Sequence, residues 1–163
     1  RGPDRMHGEW FPATETEPAY LKTVPYTLDS GKTIYTSGLP VSFGDNPPVV
    51  LQPNSQFRVR GHISTPHPVW FGITLRHPNG EFAGRVQTIK SAEYFKSGEA
   101  FDVLLNLADY HLDPSLKNIK HKLPSEPYEM VVETVWCHSL YDQAGLAIHS
   151  IELIAEPELE TQE

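Results

Sequence analysis

Apolar and polar residues alternate with a period of two through the middle of this chain. In residues 56–63, QFRVRGHI, Phe57, Val59, Gly61 and Ile63 fall on one side and Arg58, Arg60 and His62 on the other. Residues 69–76 repeat the pattern, with Val69, Phe71, Ile73 and Leu75 opposing Trp70, Gly72, Thr74 and Arg76. In the next run Phe82, Gly84 and Val86 oppose Arg85 and Gln87. Short alternating runs bounded by turn residues predict half-buried antiparallel strands. A Pro-rich turn follows the first run, and His77-Pro78-Asn79-Gly80 supplies a tight turn between the second and third. The expected result is three strands of one sheet. One face is a core wall, and the other carries Arg58, Arg60, His62, Trp70, Thr74, Arg76, Arg85 and Gln87.

Similar signals run through the rest of the chain. Val24–Leu28, the turn Asp29-Ser30-Gly31 and Lys32–Thr36 predict a hairpin, and residues 37–48 a loop. Val49–Gln52 reads as a short strand. Ser91–Lys96 is the one candidate helical turn, with Ser91 as its cap. Phe101–Asn106 predicts a strand and residues 107–126 a long connection with a basic patch at Lys117, Lys120 and Lys122. Tyr128–His138 is the longest strand, apolar on both faces, as a central position requires. In the last strand, Leu146–Ile154, the apolar phase shifts between Ile148 and Ile151, which predicts a bulge near His149-Ser150.

About eight strands with turns every ~8–12 residues give an all-β fold: a two-sheet antiparallel β-sandwich, most simply a jelly roll. The 15 prolines fit loops and strand edges and resist helix. The expected organisation is an extended N-terminal arm over residues 1–20, the sandwich over 21–155, and a solvated acidic tail over 156–163.

A length of 163 residues is enough for one domain with a sizeable core. The net charge of −8 argues against a nucleic-acid surface. No apolar run reaches the ~20 residues of a membrane-spanning helix, so no membrane insertion is expected. No secretory leader is visible. The lone Cys137, in an apolar run, reads as a buried structural thiol.

The motifs of phosphate loops, dinucleotide folds, zinc proteases and serine hydrolases are absent, as is the histidine–glutamate pattern of cupin metal sites. His62 and His67 flank a turn but would need further ligands to hold zinc. No cofactor is required; calcium is the ion that sandwich loops could take, with Asp45, Asn46, Asp109, Asp113, Asp142 and Glu152 as oxygen donors. Glu129 with Glu133, or Asp102 with Glu133, are the carboxylate pairs a glycosidase mechanism would need within ~5–10 Å. The polar face has a more economical reading. Trp70 offers an apolar plane and the Arg, His and Thr side chains offer directional hydrogen bonds, the combination a sugar ring needs. Its arginines would suit an anion unless acidic neighbours occupy them, with Glu129 and Glu133 as candidates. Trp136 and Tyr141 could join this face, although Trp136, in a central strand, reads first as core.

The strand order, the segment GEAFDVLLNLADY and the ending GLAIHSIELIAEP resemble galactose-binding-domain-like jelly rolls, over roughly residues 49–155. Many such domains are carbohydrate-binding modules of secreted bacterial enzymes. Where they often carry a carboxylate pair near the closing strand, this chain has His149 and Ser150. The resemblance implies a non-catalytic module for a carbohydrate or related polar or anionic ligand, part of a larger exported protein and located outside the cell or in the periplasm. The alternatives are a protein-interaction or sensory domain using the same face, and then a jelly-roll polysaccharide-active enzyme.

Overall fold

The computed structural model describes residues 7–41, 48–52, 54–95, 99–112, 130–141 and 145–154. Eleven strands are described: β1 (Glu9–Phe11), β2 (Tyr20–Lys22), β3 (Val24–Thr27), β4 (Thr33–Pro40), β5 (Gln56–Ile63), β6 (Val69–Arg76), β7 (Phe82–Lys90), β8 (Glu99–Asn106), β9 (His111–Leu112), β10 (Val131–Ser139) and β11 (Ala147–Ile154). They form two antiparallel sheets, ordered β1-β2-β11-β5-β8 and β3-β4-β10-β6-β7-β9. Without the short β1, β3 and β9, the orders are β2-β11-β5-β8 and β4-β10-β6-β7. In chain order of those eight strands this is first-eighth-third-sixth and second-seventh-fourth-fifth, the paired Greek keys of a jelly roll. The all-β sandwich expected from the sequence is therefore the fold.

Burial follows the period-two phase. Phe57, Val59 and Ile63 of β5 and Val69, Phe71, Ile73 and Leu75 of β6 are buried in one inter-sheet core with Val103, Leu105, Val135 and Ile148. Two phase details follow from bulges. The β11 ladder on β5 shifts between Ile148 and Ser150, as the sequence predicts. A second shift, opposite Leu75 and Arg76, leaves Ala83 as the extra residue of β7. Ala83 is consequently buried, while Phe82 turns outward beneath the Arg76 guanidinium, 5.8 Å from its ring centre, and does not join the core wall.

The turn chemistry is also as expected. Gly80, at φ 95°, donates its N–H to His77 O at 2.8 Å, and His77 donates to Glu81 O at 2.7 Å. The helical turn expected after Ser91 is a 3-10 turn, Ala92–Tyr94, which Ser91 does not cap with its side chain, and a second 3-10 turn, Leu107–Asp109, follows β8. Strand β4 continues through Pro40, into residues expected as loop. The N-terminal arm is partly sheet, since β1 pairs with β2. Residues 113–129 and the tail 155–163 lie outside the described residues.

Cys137 is buried on β10, with Ser37 Oγ 3.3 Å from its Sγ. Burial pushes its thiol up to about 11, partly opposed by the Ser37 hydrogen bond. Thiolate is the reactive form, so Cys137 should resist a thiol reagent at about pH 8 and react on unfolding. Native-state labelling as fast as that of the denatured chain would show that it is accessible.

Candidate functional site

The polar residues of β5 and those of β6 and β7 lie on opposite outer faces of the sandwich. This corrects the expectation of one shared face. Strand β5 pairs with β8 and β11, whereas β6 pairs with β7 and β10 in the other sheet. Residues 64–68, which read as a hairpin turn, carry the chain from one sheet to the other. The inner faces of the two sheets oppose each other, so their outward residues diverge. Arg58, Arg60 and His62 belong to one face; Trp70, Thr74, Arg76, Arg85 and Gln87 belong to the other.

The face of the five-stranded sheet is neutralised internally. Arg58 donates from Nε and Nη2 to the two carboxylate oxygens of Asp102, at 2.9 and 2.8 Å. Arg60 Nε reaches the same carboxylate at 3.4 Å. Their hydrogen bonds hold the Asp102 carboxyl below its usual range, Arg58 contributing most. Glu152 stands opposite Arg58 on β11. Further along, His62 Nδ1 lies 3.0 Å from His149 Nε2. The register shift at His149 brings these two imidazoles together, a contact that linear spacing does not announce. His67 is elsewhere, packed on Tyr141 with ring centres 3.9 Å apart, so the two histidines considered for zinc do not converge.

The face of the six-stranded sheet is built differently. Antiparallel pairing sets Trp70 opposite His138 and Gly72 opposite Trp136. His138 stacks on Trp70 at 5.1 Å and on Trp136 at 5.5 Å, with both pairs of planes within 10°. Trp136 lies over Gly72, where any Cβ would strike its six-membered ring. Trp136 is thus half-buried on the outer face and not core. On β4, Gly38 is opposite Trp136 and is covered in the same way by the His7 ring. His7 Nε2 lies 3.2 Å from Thr36 Oγ1. That hydroxyl gives its proton to Cys137 O at 3.1 Å, so His7 is the donor in their contact.

Polar groups border the rings. Thr74 is opposite Arg85 and Thr134, and Gln87 is opposite Gly72. Arg76 Nε donates to Glu133 Oε2 at 2.6 Å. Glu133 supplies an acidic neighbour, as foreseen; Glu129 lies outside the described residues. Glu133 sits at a register shift in β10 and is 9% exposed. Its Oε1, like Trp136 Nε1, is buried without a hydrogen-bond partner among the described residues. Neither signal was legible before the strand register was known.

Asp102 and Glu133 lie in different sheets with their side chains on opposite outer faces, so they cannot serve as a paired acid and base. Among the described residues no three His, Cys, Asp or Glu side chains gather as a metal site. Of the calcium donors considered, Asp109 and Glu152 are exposed and do not form such a group, and Asp45, Asn46, Asp113 and Asp142 lie outside the described residues. No helix among them is long and apolar enough to cross a membrane.

No family model matches the chain, and no curated protein matches it in sequence. Solved structures do match. One is the family 11 carbohydrate-binding module of the cellulosomal cellulase Lic26A-Cel5E of Clostridium thermocellum. The match has a TM-score of 0.57 over 96% of this chain and 85% of that one, at 8% sequence identity. The fold is a two-sheet jelly roll similar to that of a carbohydrate-binding module.

Proposed function

We propose that this chain is a non-catalytic carbohydrate-binding module that takes an uncharged, hydroxyl-rich saccharide on the outer face of its six-stranded sheet. The observation that carries the reading is the stacked array of Trp70, His138 and Trp136, with Trp136 seated over Gly72. A pyranose presents an apolar C–H face and a rim of hydroxyls. Aromatic planes suit the first; Thr74, Gln87 and the Arg76–Glu133 pair beside them suit the second. A neutral ligand is favoured because Arg58, Arg60 and Arg76 are each engaged with a carboxylate. The likeness in fold to a carbohydrate-binding module supports the reading, and with it a place in an exported, multidomain protein acting outside the cell or in the periplasm. Arg58, Arg60 and His62 are not part of this site.

Titrating neutral and acidic oligosaccharides at low and high salt tests the proposal. Binding of a neutral oligosaccharide should be nearly insensitive to salt, since screening acts on exposed charges. Trp70→Ala and Trp136→Ala should each remove about 1–3 kcal/mol of apolar contact, while Arg58→Ala, on the opposite face, leaves affinity unchanged. Equal binding by wild type and both tryptophan variants, or no binding at millimolar saccharide, would overturn the assignment and favour a protein partner.

A further inference from the structure

The N-terminal segment crosses from one sheet to the other. His7 exchanges two backbone hydrogen bonds with Gly38 of the six-stranded sheet, each 3.0 Å. Gly8, at φ 128°, packs against Leu21, and the chain then enters β1, which pairs with β2 of the five-stranded sheet. Residues 7–11 are therefore a strap tying the two sheets together. Strand β2 is only three residues long, and its ladder to β11 involves only Ala147 and Ile148.

A chain of imidazoles fastens this element to the body. His149 Nδ1 lies 3.1 Å from Ala19 O, just before β2. A carbonyl only accepts, so His149 Nδ1 carries a proton. In the neutral ring Nε2 is then an acceptor, and His62 donates to it from Nδ1 across the 3.0 Å contact. Tyr20 sets its ring against both imidazoles, 5.1 Å from His62 and 5.8 Å from His149. Phe11 of the strap stacks on Tyr20 at 4.8 Å. The histidine pair thus braces the docking of β1 and β2, beside the short ladder to β11, the buried Leu21 side chain and the Thr23 N–H bond to Leu146 O.

We propose that His62 and His149 form a pH-sensitive latch, whose protonation on both rings releases the β1–β2 element and, with it, His7 from the opposite face. With both rings charged, the 3.0 Å contact sets N–H against N–H between like charges; His149 keeps its Nδ1 proton for Ala19 O, so it is the repulsion between the rings that displaces Tyr20 and the segment leading into β2. The surroundings push the same way. Burial, then the neighbouring His149, hold His62 below its ordinary value of 6.5; Lys22 on β2 adds to this and Glu17 opposes it. Arg60 and Asp102, farther along the face, are paired with each other. The docked form therefore binds fewer protons than the released form. Docking is complete above about pH 6.5 and is lost as pH falls from there through the depressed value. Release also strips the ring over Gly38 from the end of the aromatic row. The latch stands whatever that face binds.

Amide exchange of the full chain, followed residue by residue by NMR and corrected for intrinsic rates, tests this. The His7 and Gly38 amides, which close the strap's two bonds, should lose protection below about pH 6.5. The loss should be about tenfold per pH unit for each proton taken up. Amides of core strands, such as Phe71 and Val135, should keep theirs. The double variant His62→Gln/His149→Gln, which hydrogen-bonds without titrating, should make strap protection independent of pH. Strap and core amides losing protection together would overturn the latch, as would a strap that stays protected until the core unfolds, or a variant that titrates like wild type. If the variant fails to fold, the comparison of strap with core in wild type still decides.

Discussion

Phe71→Ala is expected to destabilise the domain by about 3–5 kcal/mol, the cost of removing a buried aromatic ring and leaving a cavity. Phe71 is 3% exposed and lies on the inner face of β6, opposite Cys137 of β10 and Thr88 of β7. Both neighbouring strands are held by long ladders, so the site has little room to collapse around the missing ring. Arg58→Ala provides the control. Arg58 is on the outer face of the other sheet and is paired with Asp102 in the open, where solvent screens the charge. Its loss should be far smaller than that of Phe71. Chemical denaturation of the two variants side by side checks this. Comparable losses would mean that the strand phase is reversed in β5 or β6.

That phase was legible in the sequence because it depends only on alternation within a strand. Each outward and inward assignment in β5 and β6 holds, as does the bulge near His149, which the apolar shift from Ile148 to Ile151 betrays. What alternation leaves open is which strand lies beside which. A hairpin and a crossover between sheets need the same signals: two alternating runs and a Pro-containing turn. The segment 64–68 satisfies both descriptions, and a shared face for Arg58 and Trp70 follows only from the hairpin, whereas the chain makes the crossover. Phe82 shows a smaller failure of the same kind. One extra residue at Ala83 inverts the phase of everything before it in β7, and Gly84, with φ 150°, is the sole local hint.

The aromatic array needed still more than neighbours. Trp136 reads as core because it sits in a long apolar run, and only the register that sets it against Gly72 explains how so large a ring lies on the outside. The residues that distinguish this face are therefore two glycines as much as three rings. Gly72 and Gly38 flank Trp136 on β6 and β4, and each is covered by a ring from an adjoining segment. A side chain at either position would lift its ring away from the sheet. The sequence signals such close approach weakly, since a glycine within a strand marks a bulge or a kink just as often.

Gly72 and a third strand glycine, Gly61 of β5, give the sharpest contrast available for testing the geometry. Neither Gly61 nor Gly72 has a positive φ, so alanine meets no backbone obstacle at either site. With space around it, such a change usually stabilises by about 0.4–1 kcal/mol, through the unfolded chain. At Gly61 the space is absent. A Cβ there would strike the Ala147 carbonyl oxygen and come within 2.9 Å of the Phe101 ring. The carbonyl is backbone, fixed by the ladder of β11 on β5, and cannot swing aside. Gly61→Ala should therefore cost about 3 kcal/mol, the upper part of the usual range for overpacking. At Gly72 the obstacle is the far end of the Trp136 side chain, which can rotate. Gly72→Ala should leave the domain folded with little change in stability. Its effect should fall on the platform, because Trp136 must leave its seat and give up its stacking on His138. Denaturation midpoints, tryptophan fluorescence and saccharide titration of the two variants separate these outcomes. Gly61→Ala should shift the midpoint strongly; Gly72→Ala should alter the fluorescence and weaken binding as much as Trp136→Ala does. A stable Gly61→Ala would remove the close approach of β11 to β5, and a Gly72→Ala that binds like wild type would remove Trp136 from the site.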